Sequence, residues 1–167
     1  MGISNQKRSA GLKAQAFGSL FEGIFETMAK NNGVGITRIP DSCKQVSALR
    51  LIRVKSPFDW VLTFENRTAV IDTKTSHQKK FPASQISEHQ LKELLIHENK
   101  GAIAGYVIWL RKPHQVFFIP AKILRFYFEN GGSFDHTHPE AIILGQESFD
   151  VRHLFWVHSN QTLKKMM

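Results

Sequence analysis

The chain has 167 residues, 42% of them hydrophobic and 22% charged, a composition typical of one globular domain with a sizeable core. Its 22 Lys and Arg against 14 Asp and Glu give a net charge of +8, which favours a polyanionic partner such as nucleic acid, although a soluble protein can also simply be basic. No apolar run reaches the roughly 20 residues of a membrane span, and one cysteine excludes an internal disulfide, so we expect a cytoplasmic protein with no membrane partner.

The N-terminal segment, residues 1–13, is polar and basic. We expect it to be a flexible arm, with Arg8 and Lys13 available to the phosphates of a nucleic acid. Apolar residues at helical spacing then predict a helix over residues 14–30. The sequence predicts one domain over residues 14–160, followed by a short tail of residues 161–167.

Strands and two further helices follow along the chain. Runs rich in β-branched and aromatic residues predict strands at residues 36–38, 48–54, 60–64, 68–71, 102–110, 115–119, 142–144 and 154–157. Ser84 or Ser87 is suited to cap a helix that ends near residue 99, and another helix is predicted over residues 120–130. This order predicts an α/β domain with a mixed β-sheet flanked by helices.

Two carboxylates lie at the ends of a predicted β-hairpin. If Glu65-Asn66 is its two-residue loop, Phe64 pairs with Arg67, and extending the ladder places Asp59 opposite Asp72. Opposed side chains lie about 4.5–5.5 Å apart at Cβ, so two buried carboxylates there repel unless one is protonated or a cation lies between them. Mg²⁺ prefers oxygen ligands and commonly binds through one or two carboxylates, so it suits this pair.

A lysine and a third carboxylate join the pattern. Lys74 is on the same strand face as Asp72, where it can orient a water or neutralise charge on a phosphate. The alternative is a surface salt bridge among Asp59, Asp72 and Lys74. Glu22 lies on the first helix near two glycines that leave room for a ligand, and the alternative is an ordinary exposed helix glutamate.

The order of these residues resembles the PD-(D/E)xK nuclease superfamily, and within it the RecU-type Holliday-junction resolvases. The similarity runs from about residue 18 to about residue 128 and includes the motifs Gly18-x-x-x-Glu22, Pro57-Phe58-Asp59, Asp72-Thr73-Lys74, Phe81-Pro82 and His89-Gln90. The sequence departs from the family pattern where Phe58 separates Pro57 from Asp59 and where Asp72 replaces the more frequent Glu. The short segment 35–55 also predicts that the long β-stalk of these resolvases is reduced.

The resemblance implies a restriction-endonuclease-like fold and a Mg²⁺-dependent DNA endonuclease, with Mn²⁺ as a substitute metal. Asp59 and Asp72 would hold the metal, with Glu22 as a further ligand directly or through water, and Lys74 would position the attacking hydroxide. The residues expected to contact DNA are the basic side chains Arg8, Lys13, Lys79 and Lys80, together with Gln90. The resemblance also implies a homodimer that acts on branched or four-way DNA, with one active site for each strand to be cut.

Other functions fit parts of the sequence. A different PD-(D/E)xK endonuclease, of the repair or restriction type, would carry the same catalytic residues, and a non-catalytic DNA-binding module would keep only the basic surface. Because all four catalytic-type positions are filled, we favour the enzyme. His136, His138, His153 and His158 invite a zinc interpretation, but no cysteine pair supports it, and a solvated loop is the simpler reading. Trp60 and residues 126–128 are expected in the core rather than stacked on bases.

Overall fold

A six-stranded mixed sheet, flanked by helices on both faces, forms the centre of the protein. The structure, a computed structural model, describes residues 3–47 and 50–157. The helices are α1 (Ile3–Asn31), α2 (Glu88–Asn99) and α3 (Ala121–Asn130), with a short 3₁₀ helix at Ala83–Gln85. The strands are β1 (Gly35–Arg38), β2 (Ser42–Ser47), β3 (Arg50–Val54), β4 (Trp60–Phe64), β5 (Arg67–Ser76), β6 (Phe81–Pro82), β7 (Ile103–Leu110), β8 (Gln115–Pro120), β9 (Ser133–Phe134) and β10 (Ile142–Gly145).

The strand order of the main sheet is β1-β4-β5-β7-β8-β10. The predicted hairpin is confirmed, because β4 and β5 pair with Phe64 opposite Arg67. Glu65 and Asn66 both have positive φ, as a two-residue turn that matches the twist of its strands requires. β5 and β7 run parallel, and α2 lies in the connection between them. The expected α/β domain with a mixed sheet is therefore confirmed.

Alternation along β5 sends neighbouring side chains to two separate apolar cores. Ile71 packs with the residues beneath α1, among them Phe21 and Phe25. Val70 packs on the other face with residues of α2 and α3, among them Leu94 and Leu124. Both faces of the central strands are thus covered, which explains their nearly continuous apolar sequences. A polar residue in this part of the sheet therefore has to be satisfied by specific partners.

Two sequence predictions about the chain ends differ from the structure. The first helix begins at Ile3, so residues 3–13, expected to be a flexible arm, continue α1. Residues 154–157, predicted as a strand, belong to a helical segment over residues 153–157, in which the N–H of Trp156 donates to the carbonyl of Arg152. Leu154 and Phe155 are both buried, and a helical turn buries adjacent residues where a half-exposed strand would alternate them.

The segment between α1 and β4 carries a small hairpin in which β2 and β3 pair antiparallel. Its described side chains are exposed from residue 42 to residue 55, so it projects from the domain. The sequence predicted only its second strand.

On α3, Phe126 and Phe128 are exposed, whereas Trp60 is buried as expected. In the described part of the chain, no helix is long and apolar enough to cross a membrane.

Candidate active site

A polar cleft of about 880 Å³ opens between α1, β1 and the β2–β3 hairpin. Its floor is formed by Asp59, just before β4, and Lys74 on β5. The ionic side chains around it, including those of the floor, are Glu22, Arg38, Asp41, Arg53, Lys55, Asp59 and Lys74. Four of these are basic and three are acidic, so the cleft combines a carboxylate centre with cationic surroundings.

Asp72 is fully buried in the middle of β5, directly behind this floor. Its Oδ1 accepts a hydrogen bond from the amide nitrogen of Gln90, and its Oδ2 contacts the ammonium of Lys74. Burial raises the pKa of Asp72 to about 7, while the positive charge of Lys74 opposes the rise and the negative charge of Asp59 adds to it. The carboxylate of Asp72 therefore needs a nearby positive charge to stay ionised in its buried position.

Asp59 is fixed beside Asp72 by the backbone. The N–H of Asp59 donates to the carbonyl of Ile71 at 3.1 Å, which continues the β4–β5 pairing up to the residue before Asp72. Its Oδ2 accepts two hydrogen bonds from Thr73, one from the backbone N–H and one from the hydroxyl, each 2.7 Å long. Thr73 therefore holds the Oδ2 atom of the Asp59 carboxylate in place.

Lys74 and Gln90 complete the buried side of the site. The ammonium of Lys74 donates to Oε1 of Gln90 at 3.0 Å and lies 5.1 Å from the ring centroid of Tyr106. The hydroxyl of Tyr106 also donates to Oε1 of Gln90, at 3.4 Å. Burial, followed by the negative charge of Asp72, raises the pKa of Tyr106, so its hydroxyl keeps its proton. The side chain of Gln90 thus connects the carboxylate of Asp72 to the ammonium of Lys74.

Glu22 faces the cleft from α1 but is held by a different partner. Nη2 of Arg38 donates to its Oε2 at 2.5 Å, and the guanidinium lies 5.5 Å from the ring centroid of Trp60. Burial and then the charge of Asp59 raise the pKa of Glu22, while Arg38 and Lys74 lower it. Glu22 therefore lines the cleft as an ion pair with Arg38, and its predicted role at the metal stays a prediction.

The donor atoms at this site are the hard oxygens that a divalent cation such as Mg²⁺ prefers. Among the described residues, no three or more His, Cys, Asp or Glu side chains are arranged to hold a metal ion together. Glu22 is bound by Arg38 and Asp72 by Lys74, so the expected ligands are paired with cations of the chain itself. The buried carboxylate of Asp72 beside Asp59 still suits a divalent cation, because positive charge relieves their repulsion. The assignment of Glu22, Asp59 and Asp72 as ligands stays a prediction.

The residues expected to contact DNA are less concentrated than the catalytic ones. Gln90 lies in the site, whereas Lys13 is exposed on α1 and does not line the cleft. Lys79 and Lys80 are exposed in the bend after β5 and also do not line it, and Lys80 lies 3.9 Å from Asp135. The side chain of Arg8 falls outside the part of the chain that the structure describes.

Several cleft residues were not assigned from the sequence. Arg53 and Lys55 belong to a basic run in the sequence, but nothing there placed them beside the carboxylates. The sequence predicts Arg38 only as part of a strand. Tyr106, which is buried and does not line the cleft, is predicted only as one residue of an apolar run. The zinc interpretation finds no support within residues 3–47 and 50–157, and His158 lies outside them.

Comparison with known families decides the classification. The sequence family described as Recombination protein U matches residues 33–152. The chain belongs to the RecU family. The match contains Asp59, Asp72, Lys74 and Gln90, whereas Glu22 precedes it. Membership confirms the resemblance seen in the sequence and makes this RecU-family chain an endodeoxyribonuclease of the Holliday-junction-resolvase type.

Solved structures similar to this chain were also found. One of them is that of Hjc, a Holliday junction resolvase from the archaeal hyperthermophile Archaeoglobus fulgidus, with 18% sequence identity and a TM-score of 0.46. The alignment covers 64% of this chain and 78% of Hjc. Among curated proteins, no sequence matches this chain.

Proposed function

We propose that this RecU-family chain is a Mg²⁺-dependent, structure-specific endonuclease that cleaves four-way DNA junctions by metal-assisted phosphodiester hydrolysis. One observation carries the proposal. Asp59, Asp72, Lys74 and Gln90, all within the family match, meet on one side of a polar cleft although they come from separate parts of the chain. Such a cluster of buried charges is costly to fold and is typical of a catalytic centre.

The cleft surroundings suit a polyanionic substrate. Arg38, Arg53 and Lys55 border it with long, cationic side chains, and the chain as a whole carries a net charge of +8. Contacts of this kind bind phosphates irrespective of base sequence. A phosphodiester drawn in by these residues would reach Asp59 and Lys74 at the cleft floor. The arrangement therefore favours recognition of DNA shape over base sequence.

The chain's own residues supply the catalytic groups. Asp59 and Asp72 would hold the divalent cation, Mg²⁺ or Mn²⁺, with Glu22 as a further ligand directly or through water. When bound, such an ion stabilises charge on the phosphate and lowers the pKa of a coordinated water. Gln90 holds Asp72 in place, and Lys74 is fixed by Gln90 so that its ammonium can position the attacking hydroxide. The same ammonium offsets the negative charge of Asp72 in the absence of metal.

We further propose that the working form is a homodimer. Resolving a four-way junction requires two nicks in different strands, and a symmetric pair of chains supplies one active site for each.

The exposed and unpaired Cys43 is compatible with a reducing compartment, and we propose that the enzyme works in the cytoplasm.

The test is a cleavage assay that offers end-labelled four-way junctions, nicked flaps and plain duplex of the same arm sequence, with Mg²⁺ and with Ca²⁺ as a control ion. We expect paired nicks in the junction with Mg²⁺ and cleavage of plain duplex at least about tenfold slower. Equal cleavage of all three substrates would point instead to an endonuclease of the repair or restriction type. Binding without cleavage of any substrate would contradict the enzymatic proposal.

A further inference from the structure

The start of α2 carries a sequence pattern that its hydrogen bonds do not follow. Ser87-x-x-Gln90 has the form of a capping box, in which the serine caps the helix and the glutamine side chain accepts the N–H of that serine. The first half is present, because Oγ of Ser87 accepts from the N–H of Gln90 at 3.5 Å. The second half is absent, since the N–H of Ser87 donates to the hydroxyl of Tyr106 at 3.2 Å.

The side chain of Gln90 is consequently used elsewhere. Its amide nitrogen donates to Oδ1 of Asp72, and its Oε1 accepts from Lys74 at 3.0 Å. Both groups belong to the proposed catalytic centre, and neither would be reached by a glutamine folded back over the helix start. Gln90 can make these contacts only because another group accepts the hydrogen bond from the N–H of Ser87.

Tyr106 is well placed to be that acceptor. It lies on β7 opposite Asp72 in the parallel register and is fully buried. The ring of Phe81 packs against it at 6.2 Å between centroids, and the ammonium of Lys74 lies 5.1 Å from its ring centroid. A ring held this firmly fixes its hydroxyl, which accepts from Ser87 and donates to Gln90 at 3.4 Å.

We propose that Tyr106 is a positioning residue that takes the place of Gln90 in the capping box of α2 and so releases Gln90 to hold Asp72 and Lys74. This inference rests on the proposed function of the same site. Its physical basis is the cost of leaving the N–H of the half-buried Ser87 without a partner. If the hydroxyl is removed, Gln90 is the acceptor that helix geometry makes available, and we expect its side chain to swing back to Ser87.

The kinetic test compares Tyr106→Phe, Gln90→Ala and the double variant in single-turnover cleavage of a four-way junction with Mg²⁺. Tyr106→Phe is expected to slow cleavage about 10- to 100-fold, the usual effect of losing a group that orients a catalytic residue. The dissociation constant for the junction should change less than about twofold, since no cationic residue is lost. Because both changes remove the same Gln90 contacts, the double variant should be no slower than Gln90→Ala.

The matched control is Tyr127→Phe, the other tyrosine of the chain, which packs on Phe134 away from the cleft. It should cleave at the wild-type rate. Effects of Tyr106→Phe and Gln90→Ala that multiply in the double variant would overturn the inference, and so would a wild-type rate for Tyr106→Phe.

A crystal structure of Tyr106→Phe separates this inference from the proposed function. We expect Oε1 of Gln90 within hydrogen-bonding distance of the Ser87 N–H and its amide nitrogen away from Asp72. A Gln90 that stays on Asp72 would overturn the inference whatever the activity. If the wild-type protein cut none of the DNA substrates, the proposed function would fail, and the position of Gln90 in this crystal structure alone would decide whether Tyr106 positions it.

Discussion

The two walls of the cleft hold their charges in different ways. The floor of the cleft and the residues behind it, here together called the sheet wall, consist of Asp59, Asp72, Lys74 and Gln90. These residues are buried or half-buried, and they contact one another or the backbone of β5. The opposite wall, formed by Glu22, Arg38, Arg53 and Lys55, here the hairpin wall, is more open. Its Arg38 and Arg53 side chains are 61% and 77% exposed and pair singly with acids.

The difference indicates a division of labour within one site. Buried charges in a hydrogen-bonded network are held rigidly, which suits groups that must meet a reacting phosphate in one geometry. Exposed ion pairs are weak and exchange easily with another anion, which suits capture of a phosphate backbone. The sheet wall lies inside the RecU family match, whereas Glu22 of the hairpin wall precedes it.

The largest effect is expected from Asp72→Asn on the sheet wall. It removes a carboxylate from the centre while keeping its shape, so cleavage should fall at least about 1000-fold, as when an electrostatic catalytic group is lost. Junction binding should stay within about threefold of wild type, because the basic residues remain. Single-turnover kinetics and a gel-shift titration measure the two quantities. Cleavage at the wild-type rate would show that the sheet wall is not the catalytic centre.

The same variant should change how stability depends on pH in metal-free buffer. Because the pKa of Asp72 rises from 3.8 to about 7 on folding, the folded chain binds the proton more tightly than the unfolded chain. Stability therefore decreases as pH rises through this window, by at most roughly 4 kcal/mol, and is constant above it. Urea unfolding in EDTA at pH 4 to 8 should show this decrease in wild type relative to Asp72→Asn. Parallel curves for the two proteins would contradict the account of Asp72.

A smaller effect is expected from Glu22→Gln on the hairpin wall. Glu22 is bound by Arg38 and coupled to Asp59 only through charge, so cleavage should fall by about 10- to 100-fold, as for a group that acts through a neighbour or a bound water. Raising Mg²⁺ should recover part of the rate. If cleavage by Glu22→Gln were as slow as cleavage by Asp72→Asn and Mg²⁺ did not restore it, Glu22 would be as important for catalysis as the sheet wall.

Binding should depend on the hairpin wall more than on basic residues outside the cleft. Arg53→Ala with Lys55→Ala is expected to weaken junction binding about tenfold near 0.1 M salt and to lower the salt slope by about 2, one unit for each phosphate contact. The control pair Lys79→Ala with Lys80→Ala, which are exposed but do not line the cleft, should change binding less than about threefold. Equal losses of junction binding in the two double variants would contradict the proposal that cleft residues bind DNA more strongly than basic residues outside the cleft.

Local patterns predicted most of the fold and the sheet wall. The hairpin register follows from a two-residue loop and strand alternation, and these rules placed Asp59, Asp72 and Lys74 together correctly. They failed at the C-terminus, where the short apolar run 154–157 fits a strand or a helix equally well and only packing makes it helical. The start of α1 was missed for a similar reason, because polar residues 3–13 carry no apolar periodicity.

The hairpin wall and Tyr106 depend on contacts between distant segments, which local patterns do not contain. Arg38 reaches Glu22 because β1 packs beside α1, and the exposed β2–β3 hairpin brings Arg53 and Lys55 to the cleft. Tyr106 looked like any residue of a buried strand. The capping-box sequence of Ser87 and Gln90 was the one sequence signal for this arrangement. In the structure the N–H of Ser87 bonds Tyr106 of β7, and the side chain of Gln90 bonds Asp72 instead.

We propose that the carboxylates of the sheet wall, Asp59 and Asp72, hold one divalent cation. Calorimetric titration of the DNA-free protein with Mn²⁺ measures this directly, with Asp59→Asn and Asp72→Asn as comparisons. Saturable binding of Mn²⁺ by the wild-type chain, lost in both variants, is the predicted result. Binding to Asp59→Asn and Asp72→Asn as tight as to the wild type, or no binding to the wild type at all, would contradict the account.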